Sequence, residues 1–497
     1  MKKIIYISCC LLLLTSCREY LDVNSDPNNP QSAPAYLLLP PMFANMVRGE
    51  AFDSRYVGKY VQYWSDVNAN DTWDRHGYVA GSDAAGEKWR QHYWAIGKNV
   101  DLMIADATSR KDWSYVGAGK AIRAWSWQTS TDFHGDMILK EAWDDSRLSF
   151  DFDSQDLIYA EVTKLCNEAL LEFAKTNGIN TLSKGDLVYK GDTTKWVRFI
   201  NGVLARNLNH LSNKSTYNPD KIIALVDKSF TSNSDNFSVP HDGTNSDNSN
   251  FFGPLRSNMA NFRPSVFVIS LLDGTSLGAA DPRLPLMFTA SPDGVYRGVQ
   301  PTLGDPNNTT GNTKRIPTLW GTLPGVTVIP GKFLFTNKAP HALMTYFELQ
   351  FIKAEAAFKK GDKAVALDAY TKGIAASLDF VGVAVADKNT YLASNAVKKT
   401  TGTLTLNDIM LQKYIALYGH GCLETWVDLR RYQYSSSVYT GFALPAAVSL
   451  FPDNNGKPAQ RARPRYNSEY VWNRASLDKI GGNNLDYHTY EMWFSKP

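Results

Sequence analysis

Cys17 is the thiol in this chain best placed for a dedicated reaction: it closes Leu14-Thr15-Ser16-Cys17 after an apolar run from Ile4 to Leu14, itself preceded by Lys2 and Lys3. That order reads as a bacterial lipoprotein signal. Cleavage before Cys17 would free its amine for one acyl chain, while its sulfur takes a diacylglyceryl group. Each buried CH₂ contributes about 0.8 kcal/mol, so a multiply acylated terminus holds a polar domain on a bilayer without a spanning segment. The run has the length of a signal-peptide apolar region and falls far short of the roughly 20 residues that cross a membrane. Residues 1–16 are expected to be removed, 17–34 to form a lipidated tether, and 35–497 to form the folded domain.

Carboxylates supply a second kind of chemistry. Asp132, Asp136 and Glu141 are close enough in sequence to include a glycoside-hydrolase pair, and Glu424 has the type of an acid catalyst. Each also has a structural use that the sequence favours. The first three can cap helices and close a turn at Gly135. Glu424 can pair with Arg430, with Trp426 and Leu429 between them, as a buried ion pair. No catalytic residue is therefore assigned. The eight histidines show no HExxH pairing or Ser-His-Asp context, and no phosphate-cradling Gly loop is present. Neither a metal nor a cofactor is expected.

Aromatic residues make up 12% of the chain, with 13 Trp and 25 Tyr. A pyranose ring has an apolar face that packs on indole or phenol, so aromatics in polar loops suit sugar recognition. The segment from Gln62 to Tyr78 interleaves Tyr63, Trp64, Trp73 and Tyr78 with Asn68, Asn70, Asp71 and Arg75, which could bond hydroxyls. Trp320, flanked by Pro317 and Gly321 in the long irregular region, is the remaining candidate. Most other aromatics are expected to fill gaps between helices.

The elements that position these residues are mainly helical. Ile158, Val162, Leu165, Ala169 and Phe173 recur at spacings of three and four, with Ser154 as a cap and Asn177-Gly178 beyond the end. Trp196, Phe199, Ile200, Val203, Leu204 and Leu208 form a second stripe. Phe347 to Leu378 predicts two helices broken at Gly361-Asp362, with Ala366 and Tyr370 at the spacing of a tetratricopeptide second helix. One such pair cannot bury its face alone, so others must stack on it. Between Phe230 and Gly331 the helical period is lost among Asn, Asp, Ser, Gly and Pro, which predicts long functional loops.

With 497 residues, 43% hydrophobic and 20% charged, the chain can bury a full core. Loss of Lys2 and Lys3 with the signal lowers the formal charge from +3 to +1, so nothing in the charge calls for nucleic acid. Cys166 and Cys422 lie in apolar helical patterns and are expected to be buried free thiols. Glu19 and Asp22 place acid just after Cys17, a position associated with surface export of some lipoproteins, although Arg18 intervenes.

Six segments, in order, carry a resemblance. Asp26 to Pro30 (DPNNP) follows the lipobox, and Asp132 to Ala142 (DFHGDMILKEA) matches a D-x-x-G-D turn while departing from its usual Val-Pro-Tyr at Met137, Ile138 and Leu139. Tyr189 to Arg206 (YKGDTTKWVRFINGVLAR), Asp281 to Leu284 (DPRL), Glu348 to Ala356 (ELQFIKAEA) and Gln412 to Arg431 (QKYIALYGHGCLETWVDLRR) complete the set. Together they resemble the SusD/RagB family of surface lipoproteins, from Cys17 almost to the end. The resemblance implies a mainly α fold: a right-handed tetratricopeptide-like helical scaffold with an irregular, loop-rich half that holds the ligand. It also implies a non-enzymatic receptor on the outer face of the outer membrane. That receptor would bind an oligosaccharide and pass it to a SusC-like TonB-dependent transporter over which it sits as a lid. A receptor for peptides or another nutrient is the alternative within the family, and a surface glycoside hydrolase is the alternative outside it.

Overall fold

The computed structural model describes residues 33–79, 81–323, 325–326 and 330–497. Cys17, the signal segment and nearly all of the tether lie outside the described residues.

The scaffold is a succession of helices, each packed on the next. α1 (Ala35–Tyr60) leads, followed by α2 (Lys98–Ser109), α3 (Trp113–His134), α4 (Gln155–Phe173), α5 (Thr193–His210) and α6 (Pro219–Asp227). After a long irregular stretch come α7 (Tyr346–Lys360), α8 (Lys363–Val381), α9 (Leu406–Ala416) and α10 (Cys422–Arg431). α3 lies along both α2 and α4, α5 along α4 and α6, α7 along α6 and α8, and α9 along α7 and α8. This stacking of helix pairs is the tetratricopeptide-like arrangement expected of the segment from Phe347 to Leu378.

Local chemistry sets several boundaries. Asp192 accepts the Thr194 and Lys195 N–H groups at the start of α5, and Asp362 accepts that of Val365 at the start of α8. Thr405 and Asp408 cap α9 reciprocally. Gly361, at φ +92°, ends α7 in the left-handed region that glycine tolerates best. One expected cap differs: the Ser154 side chain makes no capping bond, and the Asp136 carboxylate accepts the Gln155 N–H at 3.1 Å instead.

Two large apolar cores result among the described residues, with a small third cluster of Tyr159, Val427, Met492 and Phe494. α2 to α6 close the first, α8 to α10 and the irregular half close the second, and two helices join them. α1 sends Leu39, Met42, Phe43 and Met46 into the first core and Ala51, Val57 and Tyr60 into the second. α7 likewise divides Leu349 and Ile352 from Phe347 and Phe351. Burial of each such side chain stabilises by roughly 1.5–3 kcal/mol.

Strands are few and short. β1 (Trp64–Asp66) pairs antiparallel with β3 (Phe262–Pro264), and β2 (Phe237–Val239) with β4 (His341–Met344), so the irregular half is stitched to the helices at both ends. Within it, the apolar run Val266–Leu272 forms one short helix. Cys166 and Cys422 are free and buried, as expected.

Candidate functional site

The aromatic residues chosen from sequence are packed within the protein. Tyr63 and Trp64 are fully buried, and Trp73, Tyr78 and Trp320 are nearly so. The Tyr63 hydroxyl donates to the Tyr414 carbonyl at 2.7 Å, and its ring meets those of Tyr414 and Tyr418. Trp64 gives its Nε1–H to the Arg55 carbonyl and turns its ring against Phe252 and Phe335. Trp73 packs on Tyr56 at 4.2 Å and on Tyr78 at 5.0 Å, and Trp320 donates to the Phe252 carbonyl. The expectation that these five rings offer stacking faces is corrected: protein covers the faces. A glycine makes part of this packing possible, since a Cβ at Gly58 would lie 2.1 Å from the Trp64 ring.

The polar members of the same segment divide. Asn68 and Asn70 are exposed, with the Asn70 N–H donated to the Thr302 carbonyl across the loop. Arg75 is a strut: its guanidinium donates to the carbonyls of Ser449 and Leu450, both at 3.0 Å. Asp71 accepts from the buried Lys59 at 2.8 Å, which closes the loop from beneath.

An open groove lies elsewhere, where three segments meet. Its walls are the turn after the short helix Glu87–Arg90, the loop from Ile138 to Phe150, and the C-terminal turn Tyr466–Tyr470; it encloses about 1280 Å³. Both turns are π-helical, Gln91–Gly97 and Tyr466–Tyr470, a distortion that recurs at functional sites. Trp89, His92 and Ile96 point into the core, whereas Trp94 is 68% exposed on the groove wall. The Arg90 guanidinium lies 4.3 Å from the centroid of the Trp94 ring.

Trp143 forms the adjoining wall. Its Nε1–H donates to the Tyr93 carbonyl at 2.7 Å, and the Arg123 guanidinium sits 4.5 Å from its ring. Gly97 is required for this approach, because a Cβ there would stand 2.2 Å from Trp143 Nε1. The Tyr93 hydroxyl bridges the Ile138 backbone, accepting from its N–H and donating to its carbonyl. The rim is polar. Lys98 pairs with Asp145, and Arg147 with Asp144 and Glu141. Burial raises the Glu469 carboxyl, although Asn473 and Trp89 donate to it. The arrangement offers an apolar ring with ionic and amide groups around it, which suits a ligand with one apolar face and many hydroxyls.

Sequence reasoning missed Trp94, and a signal was present. Trp89, Tyr93, Ile96, Val100 and Met103 follow helical spacing, and Trp94 falls off that stripe between Arg90 and Lys98. An aromatic on the charged face of an amphipathic run is the feature to seek.

The carboxylates weighed as catalysts are structural. Asp132 accepts from the Tyr159 hydroxyl and lies 3.1 Å from His210 Nδ1, while His210 Nε2 lies 2.8 Å from Glu424. Lys413 pairs with Glu424 at 2.9 Å and with Asp428 at 2.8 Å; Arg431 joins Asp428 to Glu355. All are buried at the junction of α3, α5, α7, α9 and α10. Burial opposes a charge on His210, but Asp132 and Glu424 outweigh it and hold its pKa up at about 9. The expected Glu424–Arg430 pair does not form. Six residues along a helix turn through about 240° beyond a full revolution, so the two side chains leave on different faces. Arg430 instead donates to the carbonyls of Trp426, Gln460 and Asp132 and stacks 3.9 Å from the Trp426 ring. Asp136 caps α4, and Glu141 accepts the Asp151 N–H.

Comparison with known proteins follows the same lines. Residues 27–443 match the family described as SusD-like_2, starch-binding associating with outer membrane. No curated protein matches the chain. Among solved structures, a SusD/RagB family protein of Bacteroides thetaiotaomicron is 21% identical, with a TM-score of 0.71 over 93% of this chain and 99% of that one. A chitin-binding protein is also 21% identical, with a TM-score of 0.73 over 93% of this chain and 100% of that one. A chitin-binding SusD homolog from Flavobacterium johnsoniae is 18% identical, with a TM-score of 0.69 over 92% and 98%. These similarities establish a shared fold.

Proposed function

This chain belongs to the SusD-like family of starch-binding, outer-membrane-associated proteins, and on that footing we propose that it captures an oligosaccharide in the groove beside Trp94 without cleaving it. The observation that carries the proposal is the open Trp94 ring in a groove whose other aromatics are locked by protein contacts. A sugar ring stacks on the indole while Asn99 and Arg147 take its hydroxyls. Asn68 and Asn70 remain a secondary contact surface at the other candidate loop.

Binding without hydrolysis is supported by the carboxylates. Asp145 and Asp144 on the groove rim are paired with Lys98 and Arg147, Glu469 accepts from Trp89 and Asn473, and those weighed from sequence serve the buried ion network or helix caps. The chain is anchored through Cys17 in the outer membrane, facing outward, and hands its ligand to a SusC-like TonB-dependent transporter. No described helix is long and apolar enough to cross a membrane. Affinity purification of the lipidated protein from its native membrane tests the partnership: a barrel encoded beside it should co-purify, and its absence would remove the delivery role. Titration with malto- and chito-oligosaccharides and with peptides tests the ligand class; a response to peptides alone would replace the sugar by a peptide.

A further inference from the structure

The Trp94 groove ends against the turn Tyr466–Tyr470, and a second groove begins on the far side of that turn. Arg465, Ser468 and Glu469 line the first groove, whereas Tyr466 and Tyr470 line the second, which encloses about 420 Å³. Positions four apart share a face of a helical turn, so a single turn presents one polar wall and one aromatic wall.

The second groove has the features of a binding surface. The rings of Tyr466 and Tyr470 lie stacked, with centroids 5.6 Å apart and planes at 17°. Gly81, at φ +76°, brings backbone beside the Tyr466 ring, where a Cβ would approach it to 3.8 Å. Buried Arg463 fixes the floor: it donates to the Tyr470 hydroxyl and to the carbonyls of Gly482, Asn484 and Leu485. Among the described residues no carboxylate neutralises Arg463 or the exposed Arg474 on the same rim, in contrast to the paired rim of the first groove. Between the grooves runs a saddle closed by Arg465 and Asp83 at 3.1 Å, both partly exposed.

We infer that the two grooves form one extended site, in which a linear oligosaccharide stacks on Trp94, crosses the Arg465–Asp83 saddle and stacks again on Tyr466. The inference rests on the sugar reading of the first groove. A helix with its side chains is about 10 Å across, so a ligand must be an oligomer to reach both rings, and a disaccharide occupies the first groove alone. Once the first ring is engaged, the second contact is intramolecular, and affinity rises with chain length without any change at Trp94. The site thereby selects extended polymer fragments over short sugars.

Calorimetric titration with malto- and chito-oligosaccharides, from disaccharide to the longest soluble member of each series, tests this. The wild-type chain should bind the longest member of one series at least about tenfold more tightly than the disaccharide. Tyr466→Ala should remove about three- to tenfold of that gain while leaving disaccharide affinity unchanged, and Tyr466→Phe should retain it. Trp94→Ala should weaken short and long ligands alike. Undiminished length dependence in Tyr466→Ala, with Trp94→Ala impaired, would overturn the second groove and leave the first standing. No binding of either series by the wild-type chain would overturn both. Thermal melting of each variant separates lost contact from lost fold.

Discussion

The Arg90 guanidinium covers one face of the Trp94 ring at 4.3 Å, one helical turn away, and leaves the indole 68% exposed to the groove. Such a cation over a ring restrains its orientation, so the remaining face is presented to ligand with little rotamer freedom left to lose.

Trp94→Ala is therefore expected to weaken sugar binding about tenfold, within the range of one lost stacking contact and its ordering, and to change the melting temperature little. Calorimetry and thermal melting of the same preparations check both halves. Reduced stability with unchanged affinity would assign Trp94 to the fold.

Trp64→Ala should behave in the opposite way. The ring is fully buried against Phe252, Phe335 and Tyr418, so its removal should cost about 3–5 kcal/mol of stability, measured by urea unfolding. Any folded fraction should bind sugar normally. A stable Trp64→Ala protein with lost affinity would return the ligand to the loop from Gln62 to Tyr78.

His210 makes stability depend on alkaline pH. Its folded pKa of about 9 lies above the ordinary value of 6.5, so the folded state holds the proton more tightly than the unfolded chain. The contribution is complete below pH 6.5 and is lost as pH rises through 9; at 1.36 kcal/mol per unit it is about 3 kcal/mol. His76, His134, His341 and His488 act on the acid side, because burial holds each down at about 3 and stability falls as pH drops below 6.5. Urea unfolding across this range should show His210→Gln losing the alkaline slope and keeping the acid one. An unchanged alkaline slope would contradict the pairing with Asp132 and Glu424.

Asp136 distinguishes a cap from a catalyst. Asp136→Ala should cost about 1 kcal/mol, the usual loss for an N-terminal helix acceptor, as seen in urea unfolding. The wild-type protein should release no reducing sugar from starch or chitin. Release that disappears in Asp136→Ala would make the chain a hydrolase.

Much of the scaffold was legible because helix period and capping are local. The stripes ending at Phe173 and Leu208 and the break at Gly361 appear where the spacing places them. The site was less legible because exposure of a ring is decided by contacts distant in sequence. Tyr63 meets Tyr414 and Tyr418, and Trp320 reaches Phe252, so polar neighbours in sequence did not mean solvent in space. Trp94 shows the converse. It lies off the apolar stripe, between Arg90 and Lys98, and the π-helical turn leaves it exposed. The Glu424–Arg430 pairing failed for a local reason, the angle between positions six apart, and could have been rejected from helix geometry alone.

Hydroxyl-radical footprinting of the folded chain, with and without the tightest-binding malto- or chito-oligosaccharide, tests the central claim most directly. Protection concentrated at Trp94, with unchanged reactivity at the buried Tyr63, Trp64 and Trp73, is the predicted result. Protection at Asn68–Asn70 with Trp94 as reactive as in the free protein would contradict it and place the ligand on the other loop.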